Sequence, residues 1–132
     1  MNNKTELSTL SRRTILAGLA AIVALGAGAA HAQDPAKGKA LFEANCSRCH
    51  AVTTQTGTGP GLAGVYGRKS GETPDFAYSR AMRRAEVTWD DKTLEEYLAD
   101  PPGRVPGNKM PLSGLPSPAE RTDVIAYLKT LK

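Results

Sequence analysis

The only two cysteines of the chain, Cys46 and Cys49, stand three positions apart, and His50 follows directly. With no third cysteine, a multi-bridge disulfide framework is excluded. Three readings of a C-x-x-C pair remain to be weighed. A thioredoxin-like redox pair needs a β-α-β setting, and strand signals here are poor. Zinc needs about four ligands, whereas the residues after position 32 offer only Cys46, Cys49 and His50. A plain disulfide leaves His50 without a role.

The pattern Cys46-Ser47-Arg48-Cys49-His50 is that of covalent haem attachment. Two intervening residues let both thiols reach the vinyl groups on one edge of a porphyrin from a single turn of chain. The next side chain then points at the iron. Cys46 and Cys49 are therefore expected to carry one haem c, with His50 as an iron ligand. A thioether opposite the histidine raises the haem potential, and the chain offers two beyond its first residue. Met82 lies in the helical-looking Arg80-Ala81-Met82-Arg83-Arg84, where a core role is the default. Met110 lies in Pro106-Gly107-Asn108-Lys109-Met110-Pro111, a segment stiffened by prolines. A side chain presented from a rigid loop suits a fixed ligand, so Met110 is the expected sixth ligand.

The N-terminus reads as an export signal. Lys4, Arg12 and Arg13 precede an uncharged apolar run, Ile15 to Ala30, and Ala30-His31-Ala32 supplies a small-x-small cleavage pattern. The run is shorter than the roughly 20 residues that span a bilayer. Residues 1–32 are expected to be a cleaved signal peptide, and 33–132 the working domain. The arginine pair resembles a twin-arginine signal but is read as an ordinary positive n-region, because haem attachment outside the membrane needs an unfolded chain on arrival. Loss of residues 1–32 leaves 14 basic against 12 acidic residues, a formal charge of +2 in place of +4.

The 100 residues from Gln33 to Lys132 are punctuated for short helices. Asp34 caps a helix with Pro35 at its first position. Residues 53–71 hold six glycines and one proline and read as loop. A helical turn is expected over Ser79–Ala85. Thr88-Trp89-Asp90-Asp91 resembles a capping box before a helix bearing Leu94, Tyr97 and Leu98, which should stop at Pro101-Pro102. The stretch from Asp100 to Pro118 reads as irregular. Ser117-Pro118-Ala119-Glu120 opens a last helix with Val124, Leu128 and Leu131 on one stripe. Helices this short, joined by long loops, bury little apolar surface unaided. A large, mostly apolar haem supplies the missing core.

Lys37-Gly38-Lys39 with Phe42, Cys46 to His50, Gly59-Pro60, Tyr66-Gly67-Arg68-Lys69-Ser70-Gly71, Phe76-Ala77-Tyr78, Thr88-Trp89, Glu96-Tyr97-Leu98, Pro106 to Met110 and Asp123 to Lys129 together resemble class I cytochrome c of the mitochondrial and related bacterial type. The resemblance implies an all-α fold of three to four short helices around one haem. It implies that Pro60 fixes the His50 ring and that Tyr97 lies near the Met110 sulfur. It also implies that Arg68, Tyr78 and Trp89 hold the haem propionates, and that Gly38 and Phe42 pack on Val124, Tyr127 and Leu128. The implied function is electron transfer in the periplasm, as a monomer, without enzyme activity and without nucleic-acid or stable membrane association. Expected partners are a quinol-oxidising complex with a terminal oxidase or reaction centre, or alternatively a periplasmic dehydrogenase. The sequence departs from the pattern at Met82, where asparagine is usual, at Leu112, where an aromatic is usual, and at Pro102 and Gly103, where lysines of a docking ring are common. Lys39, Arg48, Arg104 and Lys109 remain as candidates for steering a partner.

Overall fold

The computed structural model describes residues 31–132; the expected signal segment, apart from His31 and Ala32, lies outside them. The element order is α1 (Pro35–Asn45), α2 (Arg80–Arg84), α3 (Asp91–Ala99), α4 (Pro101–Arg104) and α5 (Pro118–Leu128). Among the described residues the only extended pairing is a single bridge between Lys69 and Thr88. None of the described helices is long and apolar enough to cross a membrane.

The helix starts follow local chemistry. The Asp34 carboxylate accepts from the backbone N–H groups of Ala36 and Lys37, with Pro35 in the first turn. Ser79 accepts from Met82 N–H at the start of α2, and Ser117 accepts from Glu120 N–H at the start of α5. Each bond satisfies a donor that the first helical turn leaves without a partner. The cap of α3 lies two residues later than expected. Asp90, not Thr88, receives the Thr93 N–H, and the Thr93 hydroxyl oxygen accepts from Asp90 N–H. Aspartate is at least as good a cap as threonine, and its box partner here is a hydroxyl.

The expectation of irregular chain after Asp100 needs correction. Helix α3 does end at Ala99, but Asp100 then caps α4, accepting from Gly103 N–H at 3.0 Å, and Pro101 takes the first helical position. This brings the helix count among the described residues to five. The signal was the same aspartate–proline pair that opens α1.

The crossing of α1 on α5 organises the domain. Gly38 and Phe42 are the buried residues of α1. A Cβ built on Gly38 would stand 1.9 Å from the Asp123 carbonyl oxygen, so the two backbones approach closer than any side chain allows. Phe42 meets Tyr127 with ring centroids 5.4 Å apart. The Asp123 carboxylate accepts from Asp34 N–H at 2.9 Å, joining the start of α1 to the same helix. Arg121, 8% exposed, ties α5 to α3 through Glu95 at 2.7 Å and donates to the Leu115 carbonyl. Lys129 at the end of α5 pairs with Asp91 at the start of α3, and the Tyr66 hydroxyl donates to the same carboxylate. Those two partners hold the Asp91 carboxyl below the usual carboxylate range.

Gly38→Ala should lower the unfolding free energy by roughly 1–3 kcal/mol, the cost of overpacking a closed site. Lys37→Ala on the exposed side of α1 should stay within about 0.5 kcal/mol. Denaturant unfolding of the haem-loaded protein measures both.

Candidate functional site

One large cavity, about 440 Å³, opens inside the helical frame, within the usual range of small-molecule sites. All eight residues singled out from the sequence line it: Cys46, Cys49, His50, Arg68, Tyr78, Trp89, Tyr97 and Met110. They come from four separate regions of chain, so their meeting is a property of the fold.

Cys46 and Cys49 sit where α1 unwinds. Cys46 N–H and Ser47 N–H both donate to the Phe42 carbonyl, and Cys49 N–H and His50 N–H both donate to the Cys46 carbonyl. This tight turn keeps both sulfurs and the His50 ring on the cavity side. Burial, then the neighbouring Cys49, pushes the Cys46 thiol up to about 11.

The His50 ring is fixed from behind. Its Nδ1–H donates to the Pro60 carbonyl at 2.8 Å, the device that sets the tautomer and orientation of a ligating histidine. In the neutral ring Nε2 is then the nitrogen left to bind a metal. Gly59 lies directly against this ring. A Cβ there would stand 2.6 Å from His50 Cε1, and Gly59 N–H donates to the Cys49 carbonyl. The need for glycine at 59 escapes sequence reasoning, because the clash is with a side chain nine positions away.

Met110 N–H donates to the Asn108 side-chain oxygen, while Asn108 Nδ2 donates to the carbonyls of Pro101 and Val105. The Met110 loop is thereby fastened to α4. Tyr97 is 7% exposed and its hydroxyl donates to the Met110 sulfur at a long 3.9 Å. Burial pushes the Tyr97 phenol up to about 12, so it stays a neutral donor. Trp89 packs on Tyr97 at 5.0 Å between centroids. Arg68 donates to the carbonyls of Ala63 and Gly61, and the Tyr78 hydroxyl donates to Thr73. Met82 also lines the cavity and is 8% exposed, on the inner side of α2. The remaining wall is largely apolar, from Phe42, Leu62, Val65, Leu94, Leu98 and Leu128.

The residues fit a haem. The cavity is apolar where a porphyrin needs it and has a pair of thiols at one edge. It also has a preset imidazole, a thioether from a separate loop, and an arginine, a tyrosine and a tryptophan in its lining. Leu112 lines the same cavity next to Met110. Two of the four expected steering cations are already paired: Lys39 with Glu43 at 3.8 Å and Arg104 with Glu96 at 3.0 Å. Arg48 and Lys109 take part in no ion pair among the described residues.

A small helical domain with these features around one cavity is a covalent-haem electron-transfer domain. The sequence model of the family described as Cytochrome c matches residues 35–132. The chain is 48% identical over 102 residues to cytochrome c of Chlamydomonas reinhardtii, covering 76% of this chain and 91% of that one. It is 52% identical over 87 residues to cytochrome c2 iso-2 of Magnetospirillum fulvum, covering 65% and 91%. Against cytochrome c2 of Rhodomicrobium vannielii it is 44% identical over 117 residues, covering 87% and 93%. The solved structure of cytochrome cH from Methylobacterium extorquens superposes with a TM-score of 0.70 at 44% identity, over 74% of this chain and 98% of that one. The chain belongs to the cytochrome c family, class I. It binds haem c through Cys46 and Cys49 and transfers electrons.

The haem colour should stay with the denatured polypeptide on a gel, because thioether bonds survive unfolding. Cys46→Ala or Cys49→Ala should reduce the yield of coloured protein sharply. Loss of colour from the wild-type band would contradict covalent attachment.

Proposed function

We propose that His50 and Met110 are the two axial ligands of the haem iron and that the protein is a periplasmic one-electron carrier with no catalytic reaction of its own. The observation that carries this reading is that both candidate ligands, each held by its own partners, line the same cavity. An imidazole with Nε2 left free by Pro60 and a thioether held by Asn108 and Tyr97 line one cavity with both thiols. Bound haem supplies a reversible one-electron change at its iron. The chain's own residues keep that change cheap in reorganisation. Pro60 stops the His50 ring from turning, Asn108 fixes the Met110 backbone, and Tyr97 donates to the sulfur without ionising. With His50 and Met110 both holding the iron, no open position would be left at the metal for a substrate. Arg68 spends only part of its five N–H donors on Ala63 and Gly61. The rest, with Tyr78 and Trp89, suit two propionates that would otherwise be buried without partners.

Residues 1–32 act in this reading as an export signal removed after Ala32, which leaves the domain free in the periplasm. Its partners are a quinol-oxidising complex on one side and a terminal oxidase or reaction centre on the other. The relatives named cytochrome c2 support a bacterial carrier of this kind.

Met110→His should lower the reduction potential by on the order of 0.2 V, within the roughly 0.8 V that axial ligands span. It should also abolish the weak red-region band of sulfur-bound ferric haem. Met82→Leu should do neither. Loss of the band in Met82→Leu, with the band kept in Met110→His, would assign the wrong thioether.

A further inference from the structure

Helix α2 carries three arginines in five residues, Arg80, Arg83 and Arg84, all exposed. The inner side of the helix is given to the cavity through Met82, whose N–H is capped by the Ser79 hydroxyl. None of the three arginines joins an ion pair among the described residues. The acids near them in sequence, Glu72, Asp75 and Glu86, do not reach them, while the paired carboxylates lie on α1, α3 and α5 or cap them. One guanidinium has a local duty: Arg83 Nη1 donates to the Tyr78 carbonyl. Arg80 and Arg84 have none.

The arrangement works against the helix that bears it. Arg80 is three positions from Arg83 and four from Arg84, so like charges face each other on one side. Arg80 also stands in the first turn, at the positive end of the helix dipole. A partner bringing negative charge relieves both costs.

We propose that the outer face of α2 is a docking surface for a carboxylate-rich face of a redox protein. The proposal rests on the electron-carrier reading and extends it. A carrier must meet a donor and an acceptor, and a partner on α2 would stand about one helix diameter, roughly 10 Å, from the cavity wall. Guanidinium groups favour a protein surface, since each matches a carboxylate in a two-bond fork. A membrane is the poorer occupant. Interfacial helices insert an apolar face, whereas the two apolar residues of α2, Ala81 and Met82, pack against the core. The exposed large hydrophobics among the described residues are Val52 and Tyr66, neither of them on α2.

The test is an amide-shift titration of the haem-loaded protein with poly-L-glutamate at low ionic strength, with voltammetry on the same sample. The largest shifts should fall at residues 79–85, and Arg80→Gln/Arg84→Gln should weaken them several-fold while leaving the visible spectrum unchanged. Arg48→Gln/Lys109→Gln should leave the α2 response in place. Shifts confined to the surroundings of Arg48 and Lys109, or an unaltered response in the α2 variant, would overturn the proposal. So would binding to vesicles of equal parts phosphatidylcholine and phosphatidylglycerol without any response to polyglutamate. A reversible one-electron couple with no α2 response sinks the docking surface alone; absence of the couple sinks the electron-carrier reading with it.

Discussion

The structure depends on filling one apolar cavity. A cavity of about 440 Å³ lined largely by apolar side chains leaves those walls without packing partners until it is filled. Filling it completes the core that Phe42, Val124 and Leu128 begin. Phe42, Leu94, Leu98 and Leu128 all turn toward the same space. The haem bound through Cys46 and Cys49 is therefore the centre of the core as well as the redox group. Covalent attachment keeps it there when the surrounding loops open.

The frame around the cavity is built to hold still. The α1–α5 crossing is locked by the near-contact of Gly38 with the Asp123 backbone. Arg121 and Glu95 bind α5 to α3, which carries Tyr97. Asn108 binds the Met110 loop to α4. Gly59 and Pro60 close behind His50. Each of these contacts joins a wall to a neighbour, and together they suit a group whose charge changes while its surroundings must not.

What the sequence revealed and what it hid follow from the range of the forces involved. Caps are local, so Asp34-Pro35 and Ser117-Pro118-Ala119-Glu120 could be read directly. The box before α3 was displaced because Thr88 and Asp90 are both competent caps, and tertiary packing chose between them. Helix α4 is hidden because two prolines ordinarily end a helix, although Asp100-Pro101 repeats the start signal of α1. The site residues that share one motif, Cys46 to His50, were legible from chemistry alone. Arg68, Tyr78, Trp89 and Tyr97 came only through resemblance, since no local spacing brings them together. Lys39 stands four residues before Glu43 on α1, and their pairing removes one of the expected steering cations. The pairing of Arg104 with Glu96 required the turn of chain between α3 and α4.

The claim on which the rest stands is that the chain acquires its fold with the haem. Far-ultraviolet circular dichroism of the full chain before and after haem attachment tests it most directly. The account predicts a largely coil-like spectrum without a cooperative melt before attachment, and a helical, cooperatively melting protein after it. Full helical signal and a cooperative melt in the haem-free chain would show that the five helices close a core of their own, and would contradict it.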